Sequence, residues 1–207
     1  MAPPQSPSPV PPGLLDQVIA VVRDAGQGIL EVRASAELGQ RSKGPQGPVT
    51  LADHAADFLL RDALPRIHPA AWLSEETADD RVRLSRDAVW IVDPLDGTKE
   101  FIAGLPEFAV SVGLVERGRC VLGVVYQPTS GDTWWAVAGG GAWVNGVPAR
   151  VAEGRRLVAS RSETSGGEFD NMPDWDIEPI GSIALKLAYV ASGRGSVTIS
   201  RGPKWEW

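Results

Sequence analysis

At 207 residues, 43% hydrophobic and 22% charged, the chain is long enough to bury a core in one large or two small globular domains. A net charge of −6 argues against a nucleic-acid-binding surface without excluding a local cationic pocket. No apolar run reaches membrane-spanning length, and the single cysteine, Cys120, permits no internal disulfide. The expected setting is cytoplasmic, with Cys120 a buried structural thiol in an apolar strand.

Met1 to Pro12, MAPPQSPSPVPP, lacks the basic and apolar parts of a secretory signal and is expected to form an extended, disordered tail. From Leu14 to about Ala34, apolar residues at Leu14, Leu15, Val18, Ile19, Val22, Ala25, Ile29 and Leu30 recur at helical spacing. A loop at Ser42 to Pro48 follows, and then a second helix, running to about Leu64. Thr50 is its expected N-cap, with Asp53 three residues on as in a capping box. As a bare sequence feature Asp53 needs no other role. Ser74-Glu75-Glu76 alone reads as a solvated turn, and residues 78–87 as a flexible polar connection. His54 and His68 have no spacing that pairs them as metal ligands and read as surface residues.

The stretch Trp90 to Phe101, WIVDPLDGTKEF, is different in kind. A strand-like run, Ala88 to Val92, ends in two acids, Asp93 and Asp96, set three apart around a Pro-containing bend where their carboxylates can converge. Converging anions repel, so either one stays protonated or a cation sits between them, and hard oxygen donors favour Mg²⁺. Gly97 permits a sharp turn, and a helix starting at Thr98-Lys99 would offer free N–H groups to an anion such as phosphate.

The string WIVDPLDGTKEF resembles the metal-binding signature of the inositol monophosphatase superfamily, Mg²⁺-dependent phosphatases of small phosphorylated molecules. Its Lys99-Glu100-Phe101 continuation is similar to the 3'(2'),5'-bisphosphate nucleotidase branch. The segment VTLADHAAD resembles the superfamily's V-T-x-A-D-x-x-A-[DE], which implies that Asp53 orients Thr98 and that the pair activates water. Ser74-Glu75-Glu76 is similar to the S-E-E segment whose first Glu, here Glu75, bridges to the metals. Together the resemblance implies Glu75, Asp93, Asp96 and the Leu95 carbonyl as metal ligands. It implies Gly97, Thr98, Lys99, Ser160, Gly181 and Lys186 as substrate contacts.

Beyond the motif, Phe108 to Val115, Cys120 to Tyr126, Thr133 to Val137 and Ala142 to Val144 read as strands joined by turns at Glu116-Arg117-Gly118 and Asn145-Gly146. They predict an antiparallel sheet covered by the first two helices. Further on, Leu157 to Ser160 predicts a strand, Ser182 to Ser192 a helix and Ser196 to Ser200 a strand, an α/β arrangement. The expected fold is therefore α+β over 13–150, then α/β over 151–207, with the site between two sheets. The resemblance implies a layered αβαβα sandwich, incomplete at its C-terminal end.

Ser160-Arg161-Ser162 resembles the nucleotidase S-R-S-H segment, with Glu163 in place of the His. Gly181-Ser182 with Lys186 resembles its G-S-x-x-L-K region. Pro203 to Trp207 is similar to the approach to the superfamily's W-D motif, whose Asp would follow Trp207, so a truncated chain is expected. The implied activity is Mg²⁺-dependent hydrolysis of a small phosphate monoester, foremost adenosine 3',5'-bisphosphate to AMP. Alternatives are an inositol or sugar phosphate, or a non-catalytic fragment that still binds metal or phosphate. No nucleic acid polymer or membrane partner is expected, and a homodimer is implied by related proteins.

Overall fold

The computed structural model describes residues 10–44 and 47–200. Most of the Pro-rich N-terminal stretch and the Pro203 to Trp207 segment lie outside the described residues. The first helix, α1 (Leu14–Ser35), buries Leu14, Val18, Val22, Ala25, Gly26 and Ile29 along one face, as its spacing predicts. Two short antiparallel strands, β1 (Arg41–Ser42) and β2 (Pro48–Val49), flank the expected loop.

Helix α2 (Leu51–Ile67) turns Ala52, Ala56, Leu60 and Leu64 inward together with Asp53 and Asp57. Thr50 caps it, its hydroxyl accepting from the Ala52 N–H, and the Asp53 side chain reaches back to the Thr50 N–H. The helix ends three residues beyond Leu64 because Pro65 falls in its last turn, where the lost N–H bond interrupts little.

Seven strands follow in one sheet: β3 (Ala71–Ser74), β4 (Ala88–Asp96), β5 (Ala109–Glu116), β6 (Arg119–Gln127), β7 (Asp132–Val137), β8 (Gly141–Val144) and β9 (Val147–Pro148). They lie side by side in chain order. The expected antiparallel pairing holds from β4 onward, but β3 runs parallel to β4. Residues 75–87 form the crossover that parallel pairing requires. Both strands therefore end at the same edge, with Ser74 beside Val92.

A second sheet holds β10 (Arg156–Ser160) between β11 (Asp176–Ile180) and β12 (Val197–Ile199), all parallel. Sequence periodicity does not foresee β11, whose five residues include Pro179, or the one-turn helix α4 (Arg161–Ser165). Helix α5 (Ile183–Ala191) lies between the sheets, with Leu185, Ala188 and Tyr189 packed among Ala109, Trp134, Val158 and Ile180. Helices α1 and α2 cover the other face of the large sheet. Leu157, Ala159 and Phe169 fill the far side of the small one. The layered α/β arrangement is the expected one.

Two surface expectations are corrected. Cys120 is exposed, one residue into β6 at the turn end of the strand, where Arg119 is exposed with it. His68 is half-buried, edge-on to Trp90 and 3.4 Å from Glu116, whereas His54 is exposed.

Leu60 is fully buried in the shared core of α1, α2 and the large sheet. Leu60→Ala should cost about 2–5 kcal/mol, from lost burial and the cavity left behind. Thermal unfolding should register a fall in Tm of about 2–4 °C per kcal/mol.

Candidate active site

Strand β4 carries the site. Trp90 and Val92 alternate into the helix-covered core, and the strand does not stop there but continues through Asp96. A register shift between Asp93 and Asp96 against β5 makes the expected bend a bulge inside a strand. The Asp93 Oδ1 atom accepts from the Leu95 N–H at 3.1 Å, closing the bulge on itself. Gly97 then takes φ +96°, and a Cβ there would stand 2.6 Å from the Glu107 carbonyl oxygen, so glycine is required. The one-turn helix α3 (Thr98–Ile102) starts at once, its Phe101 N–H bonded to the Gly97 oxygen.

This turn delivers Thr98 to Asp53. The Thr98 hydroxyl lies 2.9 Å from Asp53 Oδ1 and 3.0 Å from the Leu95 carbonyl oxygen. Asp53 Oδ2 meanwhile accepts from the Thr50 N–H at 2.7 Å and from its hydroxyl at 2.6 Å. The two readings of Asp53 thus share one side chain, one oxygen capping α2 and the other holding Thr98.

The second sheet closes on the same corner. Asp96 Oδ2 accepts from the Ser182 hydroxyl at 2.5 Å and the Ala184 N–H at 2.6 Å, at the start of α5. Glu107, ahead of β5, takes both arms of the Arg161 guanidinium and, at 3.3 Å, the Gly181 N–H. A Cβ on residue 181 would collide with the Glu100 carboxyl group, so Gly181 leaves room for it. The turn 181–184 is thereby fixed against the end of β4.

Crowded acids dominate the electrostatics. Burial, then the charges of Asp96 and Glu75, hold the Asp93 carboxyl well above the usual carboxylate range. Burial raises Glu75 as well, with Glu76, Asp53 and Asp96 adding to it and the Lys43 ammonium opposing it. Lys43 pairs closely with Glu76 and lies 3.7 Å from Glu75. Glu76 is raised by burial despite that partner.

Oxygen donors brought together at the expense of their own ionisation fit a hard divalent cation. Among the described residues, no three acidic, His or Cys side chains already surround one point closely enough to hold an ion. The hydrogen bonds explain this, since Asp93 is turned to the Leu95 N–H, Asp96 to α5 and Glu76 to Lys43. Gathering Glu75, Asp93, Asp96 and the Leu95 carbonyl around a cation requires these side chains to turn.

Ser160 is buried, its hydroxyl 3.0 Å from that of Ser162. Lys186 is buried on α5, not solvated, and Lys99 is exposed on α3. Glu163 is buried, its Oε1 accepting from the Ser200 hydroxyl at 3.2 Å beyond β12, a structural tie unforeseen for the position of the family's His. Sequence reasoning assigned no role to Lys43, Asp57, Glu107 or the Ser182 hydroxyl. Asp57 had a signal as the last acid of VTLADHAAD, and Ser182 as the Ser of the G-S-x-x-L-K resemblance.

A layered α/β fold whose parallel strand ends bring carboxylates, a carbonyl and an Asp-held threonine to one corner defines a metal-dependent phosphoric monoester hydrolase. More narrowly, residues 14–207 match the inositol monophosphatase family, and the chain belongs to that family. It is 35% identical over 206 aligned positions to the 3'(2'),5'-bisphosphate nucleotidase CysQ of Escherichia coli O157:H7, covering 94% of this chain and 83% of that protein. It is 31% identical over 188 positions to a fructose-1,6-bisphosphatase/inositol-1-monophosphatase of Thermotoga maritima, covering 87% and 72% respectively. The crystal structure of CysQ from Bacteroides thetaiotaomicron superposes with a TM-score of 0.71 at 31% identity, over 93% of this chain and 82% of that one.

The raised value of Asp93 has a stability consequence in the metal-free protein. Its folded pKa lies above its unfolded one, so ionisation opposes folding. The penalty is absent below the ordinary carboxylate range and grows as pH rises through the folded value. Asp93→Asn should therefore raise the metal-free stability at pH 7.5, by about 0.5–2 kcal/mol. The gain should shrink as pH falls toward the ordinary carboxylate range, where wild-type Asp93 is itself protonated. Calorimetry across that range, with chelator present, reads it directly; a variant no more stable than wild type at pH 7.5 contradicts the assignment.

Proposed function

We propose that the chain uses Mg²⁺ to hydrolyse a phosphate monoester on a small metabolite, with adenosine 3',5'-bisphosphate giving AMP and phosphate as the leading substrate. The observation that carries the reaction class is the Asp53–Thr98 hydrogen bond, set beside the acids of the β4 bulge. The substrate rests on similarity to the CysQ relatives and on the Thr98-Lys99-Glu100-Phe101 continuation. The Thermotoga relative, named for inositol and fructose phosphates, supports a second reading as an inositol or sugar phosphate phosphatase. A cytoplasmic setting and a homodimer belong to the same proposal.

Glu75, Asp93, Asp96 and the Leu95 carbonyl would hold the metal. When bound, the ion would neutralise phosphoryl oxygens and acidify water. The chain supplies the proton path: the Thr98 hydroxyl donates to Asp53 Oδ1, so its lone pair is available to a water proton while Asp53 draws off its own. Asp53 keeps its orientation because Thr50 holds its other oxygen from two sides. The N–H groups of Gly97 and Thr98 are donors for phosphoryl oxygens, and Lys99 and Lys186 supply cations for the substrate's anionic groups. Attack in line with the leaving oxygen breaks the P–O bond and releases alcohol and phosphate.

Phosphate release from adenosine 3',5'-bisphosphate and from inositol 1-phosphate, each at saturating Mg²⁺, tests both levels. The bisphosphate should have the higher kcat/KM, and preference for inositol 1-phosphate would move the assignment to the second reading. Thr98→Val should lower kcat by about 10²–10⁴-fold, the range of general acid–base contributions. An unchanged kcat would remove Thr98 from the proton path.

A further inference from the structure

Asp57 has no part in the proton path or the ligand set, yet its side chain is buried and spent entirely on one short turn. It lies four residues after Asp53, so both acids project from the same face of α2. Asp57 Oδ1 accepts from the Ser74 hydroxyl at 2.5 Å, and Oδ2 from the Thr77 hydroxyl at 2.9 Å. Between those residues are only Glu75 and Glu76. Ser74 and Thr77 also form a bridge to each other, and the Ser74 hydroxyl accepts from the Glu76 N–H at 3.2 Å. On the other side, the Glu75 N–H reaches the Val92 oxygen at 3.4 Å, extending the β3–β4 pairing toward Asp93.

We infer that Asp57 is a positioning residue for metal binding: by gripping both ends of the Ser74–Thr77 turn, its carboxylate fixes where Glu75 meets Asp93. The inference rests on the proposed reading of Glu75 as a ligand. Glu75 and Glu76 repel each other and their acidic neighbours, so an ungripped turn would swing Glu75 outward, where its side chain is already 38% exposed. One rigid helix face would then set both halves of the site, Thr98 through Asp53 and Glu75 through Asp57.

The test is Mg²⁺ binding to the metal-stripped protein by titration calorimetry, with thermal stability measured in parallel. Asp57→Ala should weaken Mg²⁺ affinity by about 10–100-fold, as loss of an outer partner of a metal ligand does. Asp57→Asn, which keeps the shape and one acceptor, should recover part of that loss. Ser74→Ala and Thr77→Val remove the same bonds from the other side, and each should weaken affinity even if Asp57→Ala fails to fold. Leu60→Ala, on the same helix but in the core, should lower stability and leave Mg²⁺ affinity as it is. Unchanged affinity in the Asp57, Ser74 and Thr77 variants overturns the inference, as does an equal loss in Leu60→Ala. Asp93→Asn separates the two claims. If it too binds Mg²⁺ like wild type, the metal assignment itself has failed; if it alone loses binding, only the positioning role has.

Discussion

Mutual repulsion among acids at the end of β4 is the constraint that the rest of the molecule answers. The charges of Asp96 and Glu75 add to burial in raising the Asp93 carboxyl, and those of Glu76, Asp53 and Asp96 do the same for Glu75, at a strand end partly removed from water. Left to themselves, these side chains would spread apart. Donors on several elements hold them: Thr50 for Asp53, the Leu95 N–H of the bulge for Asp93, Lys43 for Glu76 and, at longer range, Glu75, and the start of α5 for Asp96. The fold holds the acids at one corner against their mutual repulsion, an arrangement that a hard divalent cation would neutralise.

The same bonds join the two sheets. Asp96 and Glu107 both belong to the large-sheet half, and both take their partners from the segment that ends at α5. Apolar packing of α5 between the sheets brings that segment near, and the carboxylates set its register. Gly97 is required by the backbone that crosses directly over it, and Gly181 gives the Glu100 side chain its room.

How much of this was legible depended on whether the controlling contact was local. The Thr50–Asp53 capping box spans four residues and could be read from sequence; so could α1, through its periodicity, and the antiparallel run from β4 to β8, through its turns. The parallel pairing of β3 with β4 could not, because its register is set by contacts across a crossover. The D-P-L-D segment reads as a bend, since bulged strands and turns share Pro and Asp, and only pairing with β5 distinguishes them. Cys120 in an apolar strand reads as buried, but how far neighbouring elements cover the end of a strand is a tertiary property. Ser182, Glu107 and Asp57 act through contacts 17 to 86 residues away in sequence, where no spacing rule reaches.

The central claim is that a divalent cation completes the acidic corner of β4. Crystals of the metal-stripped protein soaked in Mn²⁺, a hard ion of similar preference that scatters anomalously, locate it most directly. The account predicts an anomalous peak bounded by the Asp93 and Asp96 carboxylates, the Leu95 carbonyl and Glu75. A peak away from these residues, or none at a concentration that saturates binding in solution, would contradict it.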